Sequence, residues 1–240
     1  MIDLPAGDIN WLTFKKEACL IKDRETHLFK IEVDTYFDLI QDTYIDILND
    51  QEITKASRFL KTKDAESYIV TRYVLRNLLA HFVLIPPADI HFHFSSDKKP
   101  KVDGIEFNIS HSGNFIIIAI SLAPIGIDIE FINQNFDFDP LMNAIFNEEE
   151  SSLINKNADR LLWFYVLWTR KEAILKASGE GLTEDLTKLN VVAPIVGRFD
   201  TYFEVKSLLL DQNYVIGLAT EVPDSTIHYW NFQPPSLILS

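Results

Sequence analysis

Two carboxylates stand two residues apart in the apolar stretch IGIDIEF, at Asp128 and Glu130. Side chains alternate along an extended chain, so these acids share a face with Gly126 while Ile125, Ile127 and Ile129 take the other face, toward a core. Neighbouring carboxylates repel and resist ionising unless a cation lies between them. Hard oxygen donors of this kind suit magnesium, which accepts few protein carboxylates and completes its octahedron with water and substrate phosphate. Gly126 leaves room for something to approach. The plainer alternative is an exposed edge of an acidic chain.

A second candidate is FNISHSG, Phe107 to Gly113. Phe107 and Ile109 alternate with Asn108 and Ser110 as in a strand, and Ser112-Gly113-Asn114 makes a turn. His111 therefore sits at a strand end among hydroxyls and backbone donors, a setting that can hold a phosphate oxygen, with a structural histidine as the alternative. The other five histidines have no comparable setting. Ser110 lacks the flanking glycines of a nucleophile elbow, so a serine hydrolase fits poorly. The third candidate is WTRKEAILKASGEGL, Trp168 to Leu182. Glu172 and Lys176 lie one helical turn apart on one face, with Trp168 a turn before them. A surface pair with this spacing contributes only ~0.3–0.5 kcal/mol. Eight consecutive apolar or aromatic residues, Leu161 to Trp168, bring the helix into this turn from a buried environment, and Gly179 and Gly181 terminate it.

The elements that must position these residues follow from periodicity. A strand is expected at His27–Val33, helices at Tyr44–Leu60 and Asp64–Val83, and a stop at Pro86-Pro87. Short strands are expected at Ile90–Phe94, Ile105–Ser110 and Phe115–Leu122. The order then begins again: a strand at Ile125–Phe131, short helices at Pro140–Phe146 and Asn147–Ile154, and a long helix at Asp159–Ala177. Strands at Leu189–Val192, Thr201–Leu208, Tyr214–Ala219 and Thr226–Trp230 complete the second round. The fold class is α+β, a pseudo-dimer of two similar subdomains, 1–123 and 124–240, each with a small, mostly antiparallel sheet packed on a long helix. The halves share element order but little residue identity.

The chain has 240 residues, a formal charge of −13, 47% hydrophobic residues and one cysteine, Cys19. That excludes a disulfide framework and a multi-cysteine zinc site, and favours a reducing compartment. The N-terminus has acids where a signal peptide has bases. The longest uncharged stretch, Phe115 to Ile127, is shorter than the ~20 residues that cross a bilayer. A cytoplasmic protein with no membrane association is expected. The net charge disfavours nucleic acid. From Lys55 to Lys101, however, nine bases stand against four acids, a local +5 suited to a compact polyanion such as a phosphorylated small molecule, or else a solvated helix face.

FNISHSG, IGIDIE and WTRKEAILK, in this order, resemble the 4′-phosphopantetheinyl transferases of the larger type with two subdomains in one chain. The matching positions are Gly126, Ile127, Asp128 and Glu130, then Trp168, Lys171, Glu172 and Lys176. KASRFLKTKDAESYIVTRYVLR looks like the family's basic first helices, and Lys98-Lys99-Pro100 like its lysine-proline element. The resemblance implies transfer of the phosphopantetheine arm of coenzyme A to a serine of an acyl, polyketide or peptidyl carrier protein, with release of adenosine 3′,5′-bisphosphate. Asp128, Glu130 and Glu172 would hold Mg2+, Glu172 and Lys176 would be catalytic, and the base would be Glu172 or a water it orients. Lys55, Arg58, Lys99, Pro100, Ser110, His111 and Lys176 would contact coenzyme A. The family often has a further base one turn before Lys55, where this chain has Glu52, and this leaves the 3′-phosphate contacts open to Arg58 or Lys61. Duplicated element order favours a monomer, and carrier docking is expected through apolar contact and local bases near the cleft. A magnesium phosphodiesterase is a poorer fit because additional Asp or His ligands are missing around these motifs. A non-catalytic coenzyme A or carrier-binding module remains the alternative.

Overall fold

The computed structural model describes residues 2, 4, 9–14, 21–94, 99–179 and 185–232. Cys19, Lys98 and Gly181 lie outside the described residues. The first half contains β1 (Leu12–Thr13), β2 (Glu25–Glu32), α1 (Val33–Ile40), α2 (Asp50–Ala56), α3 (Thr62–Val83), β3 (His93–Phe94), β4 (Pro100–Lys101), β5 (Glu106–Ser112) and β6 (Phe115–Ser121). The second contains β7 (Ile125–Phe131), α4 (Met142–Ile145), α5 (Glu148–Lys156), α6 (Arg160–Ser178), β8 (Ile195–Arg198), β9 (Thr201–Leu210), β10 (Tyr214–Thr220) and β11 (Thr226–Asn231). The architecture is α+β. One sheet has the order β1-β11-β2-β6-β5 and the other β7-β10-β9-β8, with β3 and β4 forming a separate pair.

The apolar pattern explains the layering. Along β6 every residue after Phe115 is buried: Ile116, Ile118 and Ile120 join the core under α3, while Ile117 and Ala119 face the second sheet. On β7, Ile125, Ile127 and Ile129 join that same intersheet core with Leu28, Ile216 and Leu218. The opposite face of the second sheet carries α6. Gly126 and Gly217 are required there, because a Cβ on Gly126 would lie 1.9 Å from the carbonyl oxygen of Ala173 and one on Gly217 would lie 2.3 Å from that of Thr169. The room beside the acids is thus taken by helix backbone, and this close approach brings the Glu172 turn down onto Asp128.

Several expected elements are corrected. The helix expected at Tyr44–Leu60 is a 3-10 turn at Tyr44–Asp46 followed by the shorter α2, which starts where Asn49 and Glu52 form a reciprocal capping box. α1 was not anticipated; a turn from elsewhere in the chain supplies its cap, as Asn114 Oδ1 accepts from Asp34 N at 3.0 Å. Leu189–Val192 is not a strand, because the segment accepts hydrogen bonds from buried Arg170 and Lys171; the strand β8 follows it. Most consequentially, β11 leaves the second round. It pairs in parallel with β2, inside the first sheet, with His228 opposite His27.

A residue-level echo between the halves also emerges. Asn147 and Glu150 form a second capping box at the start of α5, matching Asn49 and Glu52 on α2. Glu52 is buried against Arg72 at 2.5 Å and Arg76 at 2.8 Å, and Glu150 is buried against Lys171 at 2.8 Å. Arg76 then donates to the carbonyls of Pro87 and Ile90, and Lys171 to those of Leu186 and Leu189. Each half uses one buried glutamate, held by bases of its long helix, to tie that helix to the chain that follows it.

Candidate functional site

β7 and α6 place Asp128, Glu130, Trp168, Glu172 and Lys176 around one pocket of about 310 Å³, to which β5 contributes Ile109, Ser110 and His111. All three acids proposed for magnesium and both proposed catalytic residues therefore line one cavity, together with the serine and histidine of the second motif. Asp128 is 4% exposed. Lys176 Nζ lies 2.6 Å from Asp128 Oδ1 and also donates to Ser110 Oγ and the Ile127 carbonyl, each at 3.2 Å. Ser110 Oγ donates to Asp128 Oδ1 at 2.9 Å and accepts from Ile129 N. Glu130 is gripped at both oxygens, by Trp168 Nε1 at 3.4 Å and by Ser112 Oγ at 3.2 Å. The motif Lys171 points away from this pocket into its pair with Glu150.

The electrostatics of the pocket are those of carboxylates short of positive charge. Burial pushes Asp128 up, against the opposing pull of Lys176. Burial and then the charge of Asp128 push Glu130 up. Burial, followed by repulsion from Asp128, raises Glu172 from 4.5 to about 7. Asp128 Oδ2 and Glu172 Oε1 are buried without a hydrogen-bond partner. Such atoms cost free energy unless something satisfies them, and a hard divalent cation is the group that would satisfy both oxygens at once. The donor set fits magnesium on these grounds.

Among the described residues, however, the one set of three donors whose atoms all lie within 4.8 Å of each other is Glu25, His27 and His228. Asp128, Glu130 and Glu172 do not bring three donor atoms within that spacing of one another. The Glu25 cluster is poorly suited to a metal. Trp230 Nε1 donates to His27 Nδ1 at 2.9 Å, so the neutral ring carries its proton on Nε2, the atom that faces Glu25 at 3.7 Å. His27 and His228 thus sit in a setting unlike that of His111, paired with each other across two strands and with Glu25. No sequence signal could have found it, because the two histidines are 201 positions apart and only the parallel pairing of β11 with β2 joins them.

One larger groove adjoins the acidic pocket, and a second adjoins that groove. The first, of about 880 Å³, shares His111 with the pocket and is walled by Phe59, Lys63, Ser67, Tyr68 and Arg72. The other, of about 730 Å³, shares Tyr68 and Arg72 with the first and includes Lys55 and Pro100. Lys55 Nζ lies 4.9 Å from the centre of the Tyr68 ring. Arg58 is exposed in the turn after α2. Lys99 donates to the carbonyls of Ile125 at 3.3 Å and Lys176 at 3.1 Å, tying the segment before β4 to the second half. The local +5 overstated the available positive charge, because the single carboxylate of Glu52 offsets one of the two charges on Arg72 and Arg76, and Arg76 is buried. Burial pushes Glu52 up, but Arg72 and the hydrogen bonds from Arg76, Asn49 and Arg72 outweigh it and hold the carboxyl below its ordinary value. Glu52 therefore stands where a further base was looked for and acts as a strut. Its partners Arg72 and Arg76 could not be identified from sequence spacing alone.

Comparison with known proteins adds an independent line. Residues 124–219 match the family model described as the 4′-phosphopantetheinyl transferase superfamily, and residues 41–123 match that of the 4′-phosphopantetheinyl transferase N-terminal region. The 4′-phosphopantetheinyl transferase HetI of a Nostoc species is 30% identical over 183 residues, 72% of this chain and 76% of that protein. The 4′-phosphopantetheinyl transferase gsp of Aneurinibacillus migulanus is 36% identical over 128 residues, 52% of this chain and 53% of that one. For the 4′-phosphopantetheinyl transferase Sfp of Bacillus subtilis the figures are 31% over 141 residues, 57% of this chain and 62% of that one. No helix among the described residues is long and apolar enough to cross a membrane. With three motifs from two halves of the sequence gathered at one pocket and both halves matched, the chain belongs to the 4′-phosphopantetheinyl transferase superfamily.

Proposed function

We propose that this enzyme transfers the 4′-phosphopantetheine arm of coenzyme A to a serine hydroxyl of an apo acyl, polyketide or peptidyl carrier protein, with magnesium, releasing adenosine 3′,5′-bisphosphate. The observation that carries the reading is the pocket that unites Asp128, Glu130, Glu172 and Lys176, with two buried carboxylate oxygens lacking partners. Residues 1–123 would supply the coenzyme grooves and residues 124–240 the acids. Asp128, Glu130 and Glu172 would hold Mg2+, which when bound neutralises charge on the diphosphate and polarises the phosphorus under attack.

The remaining roles belong to the chain. Lys176, freed from Asp128 once another cation balances that acid, would follow the developing charge at the scissile bond. Glu172, beside the ion and one helical turn from Lys176, would take the proton of the acceptor serine, directly or through a water it orients. His111 lines both the acidic pocket and the 880 Å³ groove and would touch the coenzyme diphosphate. Lys55 and Pro100 line the next groove and would receive the nucleotide end, with Lys99, Arg58 and Ser110 as further contacts. Incubation with coenzyme A, magnesium and a panel of apo carrier proteins tests this by mass spectrometry. The expected result is a carrier heavier by one phosphopantetheine arm; no modified carrier across fatty-acid, polyketide and peptide types would refute it.

A further inference from the structure

β5 and β7 are neighbouring edges of different sheets, and they meet without a backbone ladder. Instead, three alternate side chains of β5 accept the outward N–H groups of three alternate residues of β7. Ile127 N donates to Asn108 Oδ1 at 2.9 Å, Ile129 N to Ser110 Oγ at 3.2 Å and Phe131 N to Ser112 Oγ at 3.0 Å. The period of two in N-I-S-H-S is therefore a docking seam between the two halves. Its first rung touches no acid. Its third rung does: a backbone N–H can only donate, so it takes a lone pair of Ser112 Oγ and leaves the hydroxyl hydrogen for Glu130 Oε2 at 3.2 Å.

Resting on the reading of the acidic pocket as a divalent-cation site, we propose that Ser112 is a positioning residue for that ion, setting the Glu130 carboxylate from the opposite half of the molecule. Trp168 Nε1 holds the other oxygen of the same carboxylate, so its plane is fixed by two donors on different elements. Partners of this kind orient a ligand and sharpen affinity without touching the metal. Ser112 is the one that crosses the seam, so assembling the two halves and shaping the ion site are one event. Asn108 provides the internal control, since it makes the same kind of rung and contacts no carboxylate in the pocket.

The test is a magnesium titration of the full chain, read as the rise in melting temperature and requiring no turnover, for wild type, Ser112→Ala, Ser112→Thr and Asn108→Ala. Ser112→Ala is expected to need about ten- to a hundred-fold more magnesium for half the rise. Ser112→Thr, which restores a hydroxyl, should return most of the loss. Asn108→Ala should melt earlier in EDTA yet keep its magnesium midpoint within about two-fold of wild type, as expected for a rung that contacts no ligand. If wild type shows no rise with magnesium, the cation reading itself fails. If wild type responds and Ser112→Ala responds at the same concentration, or if Asn108→Ala weakens the response as much as Ser112→Ala, the positioning role is overturned and the seam is structural only.

Discussion

Replacing Glu172 by Gln should stabilise the metal-free protein and abolish its response to magnesium, two effects of opposite sign from one atom change. The Glu172 carboxyl is raised from 4.5 to about 7 by burial and by Asp128. A raised acid binds more protons folded than unfolded between those values, so its contribution to stability is retained in acid and falls as pH rises toward 7. At ~1.36 kcal/mol per pH unit the full span corresponds to roughly 3 kcal/mol. Glu172 is only partly buried, so solvent screening reduces this to about 1–2 kcal/mol. Gln carries no charge to repel. In EDTA at pH 8 the variant should melt about 2–8 °C above wild type, given ~2–4 °C per kcal/mol for a chain of this size. At pH 4, below both values, Glu172 is protonated in the folded and unfolded chain alike and the two should coincide. In saturating magnesium the order at pH 8 should reverse, because a ligand at ~100 times its Kd adds about 2.7 kcal/mol to the form that binds it. Melting curves at both pH values, with EDTA and with magnesium, measure all four points. A variant no more stable than wild type in EDTA at pH 8 would refute the strain argument, and a variant that kept the full magnesium rise would remove Glu172 from the ligand set.

Other perturbations probe the scaffold. Gly126→Ala puts a methyl 1.9 Å from the Ala173 carbonyl, so α6 must lift; urea unfolding should show a loss of about 3 kcal/mol or more, with weaker magnesium binding as Glu172 moves away. Glu52→Gln leaves the buried Arg76 and the partly buried Arg72 without their counter-ion and should cost about 3 kcal/mol by the same measurement. His27 is depressed to about 4 by burial and by its neighbour His228. Its contribution to stability is therefore present above pH 6.5 and lost as pH falls toward 4, and His27→Gln should flatten the acid limb of the stability profile by about 1–2 kcal/mol.

The reach of each kind of signal is clear from particular elements. β7 was legible because its alternation is strict: three isoleucines on one face and Gly-Asp-Glu on the other leave a single way to bury the strand. The turn of α6 that bears Glu172 and Lys176 was legible because helical spacing alone puts them on one side. α1 was missed because its cap, Asn114, lies 80 residues away. The basic segment was misjudged because two of its arginines answer to Glu52, outside the interval counted. β11 was assigned to the wrong sheet because nothing local in Thr226–Asn231 distinguishes a partner strand in one half from one in the other.

Local sequence determined the chemistry offered: which side chains are acids, which share a strand face or a helix turn, and which family's motifs they make. Only the tertiary structure decided that these groups meet in one pocket, because that depends on two glycines admitting α6 to the sheet and on β5 side chains sealing the edge of β7. Periodicity is written in neighbours a few residues apart, whereas the burial that raises Glu172, the pairing of Lys176 with Asp128 and the hold of Ser112 on Glu130 are interactions between segments. Their strength comes from water excluded when those segments close together.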